Sequence, residues 1–182
     1  MKKIIISIAG ILFIAASCGK HEENILKEDQ IIERFVAYLN NQDYIIDSVE
    51  FSERLNMNKA PLRKPASGIA RIVAGDSVYF YYAASYLANG TSQIFFDTNI
   101  KEIAEDLGLD TFERDFSVKK EIAGVGRFIS GLDKGLTWCA EGEECFLIFN
   151  SDLGYGSNTV GIIPAYSPIC FHIIIQKVIK NS

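Results

Sequence analysis

Phe128-Ile129-Ser130-Gly131-Leu132-Asp133-Lys134-Gly135-Leu136 joins a helix-start signature to an apolar stripe. Ser130 and Asp133 stand three apart, as a capping pair does. Leu132, Leu136 and Cys139 then share one face of a short helix that ends before Gly142. On both sides of it the chain reads as strand. Upstream, Gly75-Asp76 marks a turn, and residues 78–84 form a β-rich run, apolar on both faces, with Tyr79, Phe80, Tyr81 and Tyr82 in succession. Asn89-Gly90 supplies the next turn and residues 93–97 a second short strand. Downstream, residues 144–150 and 169–179 read as two further strands. Residues 152–166 between them hold three glycines and Pro164, and so form an exposed loop or flap. A short helix among strands predicts an α+β domain.

Two other helices are expected. Asn99 reads as an N-cap with Glu102 three residues on, and Ile100, Ile103, Ala104 and Leu107 form a stripe stopped by Gly108. Between Glu28 and about Asn41, residues Ile31, Ile32, Phe35, Val36 and Leu39 recur on one face, opposite Glu33, Arg34 and Asn40. Residues 44–67, broken by Pro61 and Pro65, predict an irregular crossing or a short strand. Residues 19–27 are polar and charged and predict a flexible spacer.

Ahead of the spacer, Lys2 and Lys3 precede an apolar run at 4–14 that is short for a bilayer span and suited to a secretory signal. Ala15-Ala16-Ser17-Cys18 closes the run with small residues directly before a cysteine. It is similar to the bacterial lipobox, with Ala15 where Leu is more usual. Cleavage before Cys18 makes that thiol the lipid acceptor and a membrane the partner. One acyl chain binds membranes only marginally, so a stable anchor needs several. Ordinary secretory cleavage with Cys18 as a bystander is the other reading. The expected division is a lipoprotein signal at 1–17, anchor and spacer at 18–27, an extension with the amphipathic helix at 28–68, and the main domain at 69–182.

Composition narrows the chemistry. A 48% hydrophobic content is ample for a core. The formal charge of -5 becomes -7 once Lys2 and Lys3 leave with the signal, and the charges are interspersed, so no nucleic-acid partner is expected. There is no G-x-S-x-G elbow, no Walker A pattern and no H-E-x-x-H. With His21 and His172 as the two histidines and no C-x-x-C, no metal site is expected. His172 lies in an apolar strand and reads as structural. Gly154-Tyr155-Gly156 lacks the context of a phosphate loop and reads as turn geometry. Cys139, Cys145 and Cys170 read as buried thiols, with a Cys139–Cys145 bridge left open.

Four segments, in order and at near-family spacing, resemble the FKBP-type peptidyl-prolyl isomerases. Gly75-Asp76-x-Val78-x-Phe80-x-Tyr82 is similar to the family's G-x-x-V-x-V-x-Y strand. Phe96-Asp97-Thr98 matches its F-D-S/T element. Phe128-Ile129-x-Gly131-Leu132-x-x-Gly135-Leu136 is similar to its V-I-x-G-W-x-x-G helix. Tyr155-Gly156, then Ile162-Ile163-Pro164, then Phe171 match its Y-G flap, I-P-P turn and final strand. Leu132 stands in place of the usual Trp, Ala84 of a Gly and Ala165 of the second Pro, and the flap is one residue shorter.

The resemblance implies an FKBP-like twisted antiparallel β-sheet wrapped around a short helix, to which the N-terminal helical extension and the helix after Asn99 are additions. It implies an aromatic cleft with Tyr82, Phe96, Asp97, Ile129, Tyr155 and Phe171 as catalytic residues and Phe128, Leu132 and Ile163 as substrate-binding ones. No cofactor or metal is implied. The Ile129 backbone N–H and the Tyr155 hydroxyl would hold flanking carbonyls, with Asp97 a polar partner at the wall. In the family register Val78, Phe80 and Tyr82 face the short helix. Tyr79 and Tyr81 then lie on the other face with Phe146, Ile148 and Cys170, and that face is expected under the amphipathic helix carrying Ile31, Phe35 and Leu39. The implied function is peptidyl-prolyl isomerisation that assists the folding of envelope proteins, by a monomer acting on proline-containing polypeptide clients. The alternative is a non-catalytic, chaperone-like binding module for extended or proline-containing segments. The implied location is the bacterial cell envelope, at the periplasmic face of the outer membrane or alternatively the cell surface. Insertion-bearing lipoproteins of this kind look similar to those of Bacteroidetes-type bacteria, some of them associated with gliding motility.

Overall fold

The computed structural model describes residues 9–112 and 114–181, with side chains described from Glu22 onward. The first eight residues of the expected signal and the Cys18 side chain lie outside the described residues. The first element, α1 (Ala9–Leu39), is longer than its apolar stripe. Residues 19–27, expected as a flexible spacer, are part of this helix. Polarity suggested a spacer, yet Glu, Lys and Leu are strong helix formers, and Glu23 pairs with Lys27 one turn later at 2.7 Å. No helix among the described residues is long and apolar enough to cross a membrane.

The stretch at 44–67, expected as an irregular crossing or a short strand, contains two strands, β1 (Glu50–Ser52) and β2 (Met57–Arg63). Pro61 lies within β2. It is tolerated because β1 pairs only with residues 57–59, so Pro61 sits beyond the end of β1 and beside a bulge. The chain continues through β3 (Ser77–Leu87), β4 (Gln93–Thr98), α2 (Lys101–Asp106), β5 (Lys119–Ile122), α3 (Ser130–Leu136), β6 (Glu144–Phe149) and β7 (Ile169–Ile179). The strands form one antiparallel sheet in the order β1-β2-β6-β7-β3-β4, with β5 on β3 as well.

α3 lies on one face of this sheet, and Leu132 and Leu136 are buried in a core with Leu147, Phe149, Phe171 and Ile173. The approach is close. A Cβ on Gly131 would come within 2.3 Å of the Phe149 ring, and one on Gly135 within 2.6 Å of Leu147. These glycines weaken the helix by about 1 kcal/mol each and allow it to press flat on β6. The expected Ser130/Asp133 cap is not formed: Ile129 occupies the cap position with no side-chain bond. Asp133 turns instead to the loop before the helix, where its carboxylate accepts the N–H groups of Gly124 and Gly126 at 3.1 and 2.8 Å. Those donors have no strand or helix partner, so they compete successfully for the carboxylate.

α1 covers part of the opposite face. Ile32, Phe35 and Leu39 are buried against Ala60, Leu87, Ile148 and Cys170, with Ile31 and Phe146 at the margin. Tyr79 and Tyr81 are half-buried and outside this cluster, so the helix shields β6 and β7 and not the far end of β3. Cys139 and Cys145 are buried free thiols with sulfurs 3.7 Å apart. His172 is held by Glu144, Nε2 to Oε1 at 2.9 Å.

Candidate active site

The edge of β3 is shared between two strands: β5 pairs with residues 77–80 and β4 with residues 83–87. The gap between them would leave backbone groups of β3 without partners. Asn99 fills it. Its Oδ1 accepts the Tyr82 N–H at 2.7 Å, while its Nδ2 donates to the carbonyls of Phe80 at 3.3 Å and Ser117 at 3.0 Å. Thr98 Oγ1 donates to the Tyr82 carbonyl at 2.7 Å and accepts the Ile100 N–H. Asn99 is therefore not the N-cap expected of it; Ile100 holds that position without a side-chain bond. Buried backbone groups need partners more than an exposed helix start does, and Asn99 is only 5% exposed.

This bridge sets Tyr82 beside Asp97. The Tyr82 hydroxyl donates to Asp97 Oδ2 at 2.7 Å, and Arg114 Nη1 donates to Asp97 Oδ1 at 2.8 Å. Burial, then the hydrogen bond and charge of Asp97, push the Tyr82 phenol far above its ordinary range, so it stays protonated and remains the donor. Burial and then the Asp97 charge also raise the Tyr155 phenol.

Eight of the nine expected residues line one cavity of about 170 Å³: Tyr82, Phe96, Asp97, Phe128, Ile129, Leu132, Tyr155 and Phe171. Ile163 does not line it; it is buried in the core beneath the flap, in a tight turn paired with Val160. The walls are aromatic. Phe171 stacks on Phe149 at 6.2 Å and tilts on Tyr82 at 6.0 Å, while Phe96 and Tyr155 meet edge to face at 6.2 Å. Leu132 closes the floor from α3 at 3% exposure. Among the described residues no backbone group accepts the Ile129 N–H, at the entrance to α3. A cavity this small suits one ring and its flanking peptide groups, and is smaller than the usual pocket for a drug-sized ligand.

Two residues here were missed from sequence. Arg114 lies in the unpatterned stretch between α2 and β5, and its contact with Asp97 spans 17 positions that carry no periodic signal. Lys119 lines both the cleft and a polar groove of about 530 Å³ beside it, together with Arg114, Asp115 and Lys120.

The sequence model of the family described as FKBP-type peptidyl-prolyl cis-trans isomerase matches residues 69–176. This chain belongs to that family. The match contains the whole cleft and leaves out α1, β1 and β2. FK506-binding protein 1B of Emericella nidulans is 32% identical over 114 residues, which is 60% of this chain and 86% of that protein. Peptidyl-prolyl cis-trans isomerase FPR2 of Saccharomyces cerevisiae is 30% identical over 106 residues, 58% of this chain and 67% of that protein. FK506-binding protein 1 of Aspergillus oryzae is 36% identical over 55 residues, and the matched part spans 47% of its length. The chain is thus an FKBP-type isomerase with the family's antiparallel sheet and α3, plus an N-terminal helix packed on the back of the sheet.

Proposed function

We propose that this isomerase twists X-Pro amides of envelope proteins in the cleft between α3 and the sheet, while held to a membrane through Cys18. The observation that carries the first half is the cavity itself: ring-sized, walled by five aromatic side chains, and edged by a few polar groups. Rotation about a peptide bond has a barrier of about 18–20 kcal/mol, set by loss of resonance, so no nucleophile is required. The planar amide is the more charge-separated form. An apolar enclosure that excludes water disfavours it relative to the twisted one. Phe171, Tyr82, Phe96 and Phe128 make that enclosure, Phe149 backs Phe171 from the core, and Leu132 sets its depth. In this reading Tyr155 and the Ile129 N–H, both at the cleft, take carbonyls on either side of the proline. Asp97, bound by Tyr82 and Arg114, is a polar group at the cleft edge.

A protease-coupled proline assay on the full chain tests this. Asp97→Ala and Tyr155→Phe are each expected to lose about 1–2 kcal/mol of transition-state stabilisation, since each removes one hydrogen-bonding group and leaves the pocket walls in place. Leu132→Trp is expected to keep or raise turnover and, because the native Trp138 lies outside the cleft, to add a fluorophore that reads occupancy. No acceleration by either wild type or folded Leu132→Trp would leave the binding-module reading in its place.

The membrane half rests on sequence: small residues ending at a thiol behind a short apolar run. Cys18→Ser is expected to move the chain from the membrane to the soluble fraction. Membrane retention of that variant, with no labelled fatty acid on the wild type, would exclude the anchor.

A further inference from the structure

Glu28 is a charged residue on α1 that is 1% exposed. It lies outside the stretch that matches the family. Its carboxylate is spent on one residue: Oε2 accepts the Ser151 N–H at 2.6 Å and Oε1 accepts the Ser151 hydroxyl at 2.7 Å. Ser151 opens a 3-10 turn (Ser151–Leu153) whose own cap residue, Asn150, makes no side-chain cap bond. Glu28 thus caps that turn from 123 positions away.

The turn leads directly into the flap. The Ser151 carbonyl accepts the N–H of Gly154 and that of Gly156, both at 2.8 Å. These are the two neighbours of Tyr155. Ser151 is therefore fixed by Glu28 through its N–H and hydroxyl, and fixes both sides of Tyr155 through its carbonyl. The other end of the linkage is rigid, because Phe35 and Leu39 on the same helix are fully buried against the sheet.

Burial is the largest influence on the Glu28 carboxyl and raises it, Asp152 and Asp29 add to the rise, and the two bonds from Ser151 oppose it. A carboxylate is an expensive way to fill a buried site, and an apolar residue of similar size fills one at less cost. What the carboxylate adds is two directed bonds to Ser151.

We infer that Glu28 is a positioning residue for the cleft: acting through Ser151, it sets Tyr155, and so makes the N-terminal helix a working part of the isomerase site. The inference rests on the isomerase reading above for its effect on rate, and not for its effect on the position of the Tyr155 ring.

Two measurements on the full chain test it. In the proline assay Glu28→Ala is expected to lower kcat/KM by about 3- to 10-fold, the equivalent of one lost hydrogen bond. In a Tyr155→Phe background the same change is expected to cost less than about 2-fold, because the hydroxyl that the positioned ring carries is already gone. Equal losses in both backgrounds would show a general structural effect and overturn the assignment. Independently, 3-fluorotyrosine at position 155 is expected to give one sharp fluorine line that shifts or broadens in Glu28→Ala, well below the unfolding temperature. An unchanged line overturns the inference, whatever the activity. If the wild type shows no isomerase activity, the isomerase reading fails and the fluorine line alone decides the positioning role. Should Glu28→Ala not fold, Glu28→Gln carries both tests, since its amide keeps the volume and one of the two acceptors.

Discussion

Lys59→Met is expected to lower the stability of this chain by about 3–5 kcal/mol, although Met matches the length of the lysine stem. Lys59 is 5% exposed on β2, and its Nζ donates to Glu143 Oε1 at 2.8 Å and to the Trp138 carbonyl at 3.2 Å, 5.0 Å from the centre of the Trp138 ring. Glu143, equally buried, keeps one other donor, the Ala140 N–H at 2.9 Å. Removing the ammonium leaves a buried carboxylate with that single N–H, whereas the Trp138 carbonyl still has Arg71 Nη1 at 2.6 Å. The loss therefore comes from the orphaned charge and not from packing. Lys59→Met with Glu143→Gln is expected to recover most of it, because the glutamine oxygen still accepts from Ala140 and no charge remains. Urea midpoints of the wild type, the single and the double variant decide this. A double variant as unstable as the single would mean that the pair organises β2 and the end of α3 by more than charge.

Phe171→Ala is expected to affect stability and catalysis together. The ring is 5% exposed, stacks on Phe149 and supports Tyr82, so its removal opens a cavity on β7, with a loss of about 3–5 kcal/mol. The activity loss should exceed that of Asp97→Ala, because a hollow wall lets water reach the bound amide and lets the Tyr82 ring tilt away from Asp97. Phe171→Leu, which refills much of the volume, should restore more stability than activity. Melting curves and the proline assay, run well below each variant's transition, separate the two effects. Wild-type kcat/KM in a folded Phe171→Ala variant would remove this residue from the site.

Six of the eight expected cleft residues were legible in the sequence because they sit in short motifs, Phe96-Asp97, Phe128-Ile129-x-x-Leu132 and Tyr155-Gly156, while Tyr82 was carried by the alternating run from Gly75 and Phe171 by its order after Pro164. Strands β3, β4, β6 and β7 were legible from apolar patterning between turn residues. What escaped was pairing at a distance. Arg114 meets Asp97 across 17 positions, Lys59 meets Glu143 across 84, and Glu28 meets Ser151 across 123, and no local periodicity encodes a contact of that kind. Asn99 and Asp133 were misjudged for a related reason. Each carries the composition of a helix cap, and each is drawn instead to backbone donors that only the assembled sheet and its loops leave unsatisfied. In residues 44–67 the sequence left a short strand and an irregular crossing both open, because Pro61 excludes an inner strand only where a ladder partner stands on both sides.

The sheet order has a consequence for how the chain is made. β1-β2-β6 and β3-β4-β5 share no ladder of their own; β7 lies between them and pairs with both β6 and β3. Among the described elements β7 is also the last to leave the ribosome. A nascent chain that ends before Ile169 therefore has two ribbons, each with an open hydrogen-bonding edge, facing a slot that nothing yet fills. Such an intermediate invites mispairing with neighbouring chains and needs shielding until its final strand arrives. β7 joins both ribbons, so a chain truncated before it keeps two separate ribbons and no continuous sheet.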